Sequence, residues 1–296
     1  MLSILIPTYN YNVFPLVEQL QHQLIKNNIV FEVICMDDAS TEHYKSNSDI
    51  LNLNNCYYSY LKENIGRSKI RNQLASKASY PWLLFLDADV MPVSSDFIKN
   101  YVSFIEKLPK NSVVCGGISY SDGKPKKEKL LRWTYGRKKE AINLKVRSSN
   151  PYRYFFASNC MIKKELFLKI TFNETIKSYG YEDILFAKNL KEQRVEINHI
   201  DNSAFHMGLD NNNVYIHKIE VSINTLKRLY KAGVFNKADV LLLSKFHNLS
   251  ILKLTKLIGC VFSIFKKPIL YNLQSSHPSV FLLNLYKLGY LCSLKD

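Results

Sequence analysis

Short apolar runs alternate with stretches of helical periodicity along this chain, most plainly over residues 1–95. LSILIP (2–7) is an apolar run that breaks at PTYN, after which Phe14, Val17, Leu20, Leu24 and Ile25 recur at the spacing of one helix face. FEVICMDDAS (31–40) repeats the opening design, an apolar strand that ends in two carboxylates, followed by Ser40 and Thr41 as candidate helix caps. CYYSYL (56–61) is a third strand, ENIGRSKIRNQLASKA (63–78) a loop leading into a helix, and WLLFLDADV (82–90) a fourth strand. Strands alternating with helices predict successive βαβ units and a mainly parallel, Rossmann-like α/β sheet flanked by helices. The run Trp82–Leu86 reads as a strand buried on both faces. Ligands in such sheets bind beyond the C-terminal strand ends, where Asp87 and Asp89 stand. Strand alternation would turn both to one side, with Ala88 facing away.

Further along, Asp96 to Leu108 is helical in pattern, and SVVCGGISY (112–120) reads as a strand whose Gly116 and Gly117 leave room for a close neighbour. PYRYFFASNCMIKKELFLKI (151–170) is a strand followed by a helix start. Glu182 and Asp183 follow a turn at Gly180 and open a helix whose Ile184, Leu185, Ala187 and Leu190 are expected to face the core. Acids in a first helical turn are favoured by the helix dipole, so capping alone is one reading of this pair. Past residue 214 the chain turns helical and basic, and 248–268 reads as one helix with Lys253, Lys256, Ser263 and Lys267 on a single stripe. Two lysines inside the run argue against a transmembrane span. A wide apolar face with a narrow cationic stripe fits a helix lying in a membrane interface, and an ordinary core-facing helix fits equally. SVFLLNLYKLGYL (279–291) repeats the pattern with Lys287. The expected organisation is 1–95, 96–213 and a helical C-terminal region over 214–296.

Composition bounds this picture. With 296 residues, 47% of them hydrophobic, the chain is globular and large enough for one large or two modest domains. Its six cysteines are scattered with no CxxC pair, which points to free thiols in a reducing compartment, the cytoplasm, and away from a disulfide framework or zinc site. MLSILIPTYN has no basic flank and its apolar run ends early, so a first strand is expected there and no signal peptide. The net charge of +15 is unevenly spread: residues 228–296 carry ten Lys or Arg against two acids, and 121–150 ten against three. Such patches suit nucleic acid, an anionic membrane surface or phosphorylated substrates. For 121–150, a solvated, partly helical loop and a mobile lid over a diphosphate or anionic acceptor are both open.

The strand ends bring together PTYN, DDAS and DADV, with the helix carrying Arg71 nearby. Carboxylates beside arginines suit a nucleoside diphosphate, with a divalent cation between acids and phosphates. Neither a GxGxxG fingerprint nor a P-loop is present, which excludes the common dinucleotide and ATPase readings.

In order and spacing, IPTYN, DDAS, ENIGRSKIRN and FLDADV resemble the nucleotide-sugar-binding half of glycosyltransferase family 2, the inverting GT-A fold enzymes, and the resemblance covers about residues 2–210. It implies a donor site of Pro7, Thr8, Tyr9, Asp37, Asp38, Gly66, Arg71, Asp87 and Ala88, with uracil contacts from Asp38 or Asp37 and from Arg71. It also implies Asp87 toward ribose or the metal shell and Asp89 on a Mn²⁺ or Mg²⁺ ion. The GYED segment is similar to the acceptor-side motif of that family. Inversion needs an acceptor hydroxyl deprotonated opposite the leaving nucleotide, which assigns the base to Asp183 and acceptor orientation to Glu182, two roles that could be exchanged. His199 and His206 fit structural hydrogen bonding, and the resemblance adds metal ligation for His206.

The expected function is transfer of a sugar, hexosyl or N-acetylhexosaminyl, from a UDP-linked donor to a hydroxyl of a glycan or lipid-linked glycan in surface polysaccharide synthesis. The expected place is the cytoplasm, with peripheral attachment to the membrane face open and no nucleic acid partner. Two alternatives remain on the same fold, a non-catalytic basic binding protein and a nucleotidyltransferase. Clustered acids serve no anion binder, and nucleotidyl transfer gives no role to YGYED.

Overall fold

The computed structural model describes residues 1–42, 44–105, 107, 109 and 111–294. Its first elements follow the predicted alternation: β1 (Leu2–Thr8), α1 (Phe14–Lys26), β2 (Phe31–Asp37), β3 (Cys56–Tyr60), α2 (Arg67–Lys77) and β4 (Trp82–Leu86). A short β5 (Val90–Pro92) and α3 (Phe97–Ile105) come next, and the expected helix end at Leu108 lies outside the described residues. Then follow β6 (Ser112–Cys115), β7 (Ile118–Ser119), α4 (Leu130–Lys139), α5 (Leu144–Ser149), β8 (Asn159–Lys163), α6 (Lys164–Lys169), α7 (Glu182–Glu192), β9 (Glu196–His199) and β10 (Ala204–His206). The C-terminal part is helical, with α8 (Asn212–Lys231), α9 (Leu241–Ile251), α10 (Thr255–Leu273) and α11 (Val280–Ser293).

The chain forms two compact units. The first comprises Met1–Tyr120, Glu140–Lys177 and Glu182–Gly208. Among its described residues a seven-stranded sheet runs β3-β2-β1-β4-β8-β6-β9, with a three-stranded sheet β5-β10-β7 beside it. The neighbours β3, β2, β1 and β4 are parallel, β8 runs antiparallel to β4 and β6, and β9 is parallel to β6. β1, β2 and β4 are buried almost throughout, as continuous apolar runs require. Phe85 meets Phe167 and Phe172, and Phe172 stacks on Phe186 at 4.3 Å, so an aromatic cluster glues α6 and α7 to the sheet.

Several expectations are corrected here. The strand expected over 112–120 splits, because Gly117 takes a positive φ of 89° and diverts the chain from the large sheet to the small one. On α7, Ile184 is 40% exposed, and Phe186 is buried in its stead. The buried stripe runs through Leu185, Phe186 and Leu190, and Ile184 falls one position off it. The basic stretch 121–150 is partly helical, and most of its Lys and Arg side chains are exposed, with Arg132 and Arg147 buried. Arg147 is 2% exposed, and its guanidinium donates to the carbonyls of Cys115, Gly116, Ile142 and Ile200.

The second unit comprises Ser121–Lys139, Ser178–Tyr181 and Leu209–Asp296. Within it α10 packs on α11, with Gly289 under the Phe262 ring and Phe262 edge-on to Tyr286 at 5.2 Å. Glu220 of α8 accepts from Tyr286 and Lys266. The single helix expected over 248–268 is instead two: Lys253 adopts φ 56° in the break, and α9 and α10 meet at 116°. Lys253 therefore leaves the stripe, which is carried by α10 alone.

Candidate active site

The crevice is set by strand pairing. β1 pairs with β4 only from Leu2 to Leu5 but with β2 as far as Thr8, opposite Asp37. The sheet order therefore turns at β1, and beyond Leu5 a gap opens between β1 and β4, the place where α/β sheets bind ligands. Pro7, with no N–H to donate, falls where β1 has one recorded partner strand.

Loops at the strand ends are stitched to each other. The Thr8 carbonyl accepts the Asp38 N–H at 2.8 Å, and Asn10 receives N–H bonds from Thr41 and Glu42 while its own N–H donates to Ser40. This leaves Thr8 buried and Tyr9 exposed. Asp37 accepts from the Ser40 N–H and the Tyr58 hydroxyl, each at 2.7 Å. Asp38 accepts from the N–H groups of Ile65 and Gly66 at 2.7 and 3.0 Å. Burial pushes the Asp38 carboxyl up, and those two N–H groups work against the rise. Gly66 is required here by its φ of 83°. The acidic pair thus organises the ends of β2 and β3 and the loop before α2.

β4 stops at Leu86, and the Val90 N–H bonds the Asp87 carbonyl at 3.3 Å, so DADV is a turn. Strand alternation does not apply, and the two acids take different partners. Asp87 Oδ1 lies 2.6 Å from Arg71 Nη2. Burial would raise Asp87, but Arg71 and then Arg67 hold its carboxyl below the usual range. Arg71 itself is 3% exposed, lying beneath the crevice with its guanidinium over Phe172. Ala88 is buried.

Asp89 faces β10, whose antiparallel register sets His206 opposite Val90. His206 Nε2 is 3.6 Å from Asp89 Oδ2, and the Met207 N–H donates to the Asp89 carbonyl at 2.7 Å. A Cβ on Gly208 would stand 2.1 Å from Asp89 Oδ2, so only glycine fits against this carboxylate. Tyr120 stacks on the His206 imidazole at 5.5 Å and 14°, and its hydroxyl donates to Glu140.

Asp183 and Glu182 open α7 as expected. Asp183 Oδ2 accepts the Ala157 N–H at 3.1 Å, while its Oδ1 is buried with no hydrogen-bond partner. Burial, opposed by Arg71 and aided by Glu182 and Asp87, pushes this carboxyl up to about 6. Glu182 is buried, with Oε1 3.5 Å from Arg67 Nη1. His199 is structural, bonded to the Pro151 carbonyl and Arg147.

Among the described residues, no group of three or more His, Cys, Asp or Glu side chains could hold a metal ion. Asp89 and His206 nevertheless offer one carboxylate and one imidazole side by side. That pair fits a cation whose remaining positions are filled by substrate phosphate oxygens. Asp87 is paired with Arg71, and His206 also acts on its charge.

Sequence reasoning missed Tyr58, Tyr120 and Tyr11, whose phenol is pushed up by burial and by Asp89. Tyr11 directly follows PTYN, a local signal. Tyr58 and Tyr120 act across the fold and leave none.

The mixed, mainly parallel sheet flanked by helices is the GT-A fold of nucleotide-sugar glycosyltransferases. S. aureus TarS 1-349 shares it with a TM-score of 0.50 and 19% identity, over 97% of this chain and 90% of that one. Its complex with UDP-GlcNAc gives a TM-score of 0.53 over the same shares at 19% identity. The mannosyltransferase PcManGT from Pyrobaculum calidifontis, in complex with GDP-Man and Mn2+, gives 0.53 at 16% identity, over 78% of this chain and 64% of that one. At these identities the likeness carries the fold alone. The profile of glycosyl transferase family 2 matches residues 3–171, and the chain belongs to that family. Among curated proteins no sequence matches.

Proposed function

We propose that this glycosyltransferase moves a hexosyl or N-acetylhexosaminyl group from a UDP-linked donor to a hydroxyl of a glycan or lipid-linked glycan in surface polysaccharide synthesis, inverting the anomeric centre. The observation that carries the reading is Asp183: a buried carboxyl pushed up to about 6, with one oxygen lacking a partner. A base so tuned is ionised at neutral pH and still basic enough to take a hydroxyl proton. The Ala157 N–H fixes one oxygen and leaves the other for the acceptor. Glu182, beside Arg67, would orient that acceptor.

On the donor side, Thr8, Asp38 and Gly66 would contact the nucleotide, and Asp87, held by Arg71, would face the ribose. Asp89 and His206 would hold Mn²⁺ or Mg²⁺, which as a Lewis acid neutralises charge on the departing diphosphate.

The test is thermal stabilisation across a panel of nucleotide sugars with and without Mn²⁺, followed by product analysis. UDP-sugars should raise the melting temperature most, and more with Mn²⁺. Asp183→Asn should keep that stabilisation while losing transfer. Full activity in Asp183→Asn would sink the assignment of the base, and stabilisation by no nucleotide sugar would sink the donor reading.

A further inference from the structure

α10 turns apolar side chains outward where a helix of a globular unit normally shows polar ones. Leu257, Val261, Ile264, Phe265 and Tyr271 are all exposed, Ile264 by 73% and Phe265 by 55%. Their spacing puts them on one face, and Leu257 to Tyr271 spans about 21 Å of helix axis. The opposite face is spent inside the unit, where Gly259 abuts the Cys292 backbone and Phe262 and Leu273 are buried. At the bend before α10, Ile251 and Leu252 are exposed as well. An apolar surface this continuous marks an interaction site.

Charge names the partner. Residues 240–294 contain no Asp or Glu and six lysines. Lys256 and Lys267, eleven positions apart and both exposed, fall on the same flank of the apolar stripe, and exposed Lys253 sits in the bend. A second copy of this chain would meet the stripe with the same lysines and with no acid from this segment to pair them. A bilayer carrying anionic lipid supplies both what the stripe lacks and what the lysines lack: hydrocarbon for one, negative headgroups for the other. Among the described residues no single helix is long and apolar enough to cross a membrane, and α9 and α10 reach that length only as a pair bent by 116°. Lys266, Lys267 and Pro268 also break the apolar run along α10.

We infer that α10 is an interfacial membrane anchor, lying along an anionic bilayer with Leu257, Val261, Ile264 and Phe265 in the acyl boundary and Lys256 and Lys267 at the headgroups. The inference stands on this surface alone and does not require the sugar-transfer reading.

Cys260 makes a direct test possible, since it is exposed on α10 and the other cysteines are buried. The full chain labelled at Cys260 with an environment-sensitive fluorophore is mixed with vesicles of phosphatidylcholine alone or with phosphatidylglycerol. A blue shift on the anionic vesicles, weakened by salt, is expected. In vesicle flotation, Ile264→Glu/Phe265→Glu should cut binding at least about tenfold, and Lys256→Ala/Lys267→Ala by about tenfold at low salt, with melting temperatures unchanged. Three results would overturn the inference: no blue shift on anionic vesicles, flotation that survives the glutamate substitutions, or a dimer in light scattering that those substitutions dissociate without any vesicle binding.

Discussion

Arg71 Nη2 lies 2.6 Å from Asp87 Oδ1, and this ion pair ties the α2 helix to the end of β4 directly beneath the crevice. The guanidinium is buried, and the carboxylate retains 27% of its side-chain exposure. The first acid of DADV is thereby committed to an internal cation, while the second is left to face His206.

Removing only the cation should cost more than removing the pair. Arg71→Met is expected to destabilise the chain by about 2–4 kcal/mol, because it strands a half-buried carboxylate. Adding Asp87→Asn should recover part of that loss in urea unfolding. Equal stability of the single and double variants would refute the coupling.

Asp183 should set the acid limb of the activity profile. Its carboxyl is raised to about 6, so the folded chain binds this proton more tightly than the unfolded chain does. Transfer needs the ionised form, so kcat/KM should rise with pH through about 6 and then level. Stability runs the other way: the contribution of this group is present at low pH and lost as pH rises from the ordinary carboxylate range to about 6. Asp183→Asn should therefore lose about 10²–10⁴-fold in transfer and gain in melting temperature above pH 6. A profile without an acid limb near 6 would remove Asp183 as the base.

The Asp89 carboxylate should be sensitive to a methyl group it never bonds. Gly208→Ala puts a Cβ 2.1 Å from Asp89 Oδ2, whereas at Gly123 the nearest atom to an added Cβ is 3.7 Å away. Gly208→Ala should weaken Mn²⁺ binding, read by the paramagnetic resonance of free Mn²⁺, by about tenfold or more. Gly123→Ala should leave it unchanged. Matching affinities in the two variants would remove Asp89 from the cation site.

Gly116 should tolerate no side chain at all. A Cβ there would meet the Asn202 carbonyl at 2.2 Å, Asn159 Nδ2 at 2.5 Å and the Tyr101 hydroxyl at 2.7 Å. Two of these three contacts are buried side chains, and the third is backbone with little room to move. Gly116→Ala should cost about 3 kcal/mol or more, measured by thermal or urea unfolding. Wild-type stability in that variant would show that the neighbourhood yields.

Much of the framework around the crevice was legible in the chain. The strands ending at Thr8, Asp37 and Leu86 lie where the apolar runs end, and Gly66, Gly116 and Gly117 hold the tight positions that glycine signals. The helix opened by Glu182 and Asp183 begins where its turn and dipole preference put it. What escaped is where each carboxylate points. Asp87 was expected beside Asp89 on one side, yet the turn sends one to Arg71 and the other to His206. Ile184 and Lys253 were assigned by helical spacing, and one residue of offset on α7 and one break before α10 moved both.

The sequence by itself determined the types of element and their order, the α/β alternation, the excess of cationic charge toward the C-terminus and the identity of the acids at the strand ends. These depend on periodicity and propensity within about ten residues, which the chain carries locally. Only the tertiary structure decided that Arg147 is buried, that Tyr120 lies on His206, that Asp183 is desolvated with one buried oxygen unpartnered, and that α10 turns its apolar stripe outward. Each of those depends on which distant segment becomes a neighbour. Desolvation and ion pairing act through such neighbours, and strand order and packing, not local pattern, choose them.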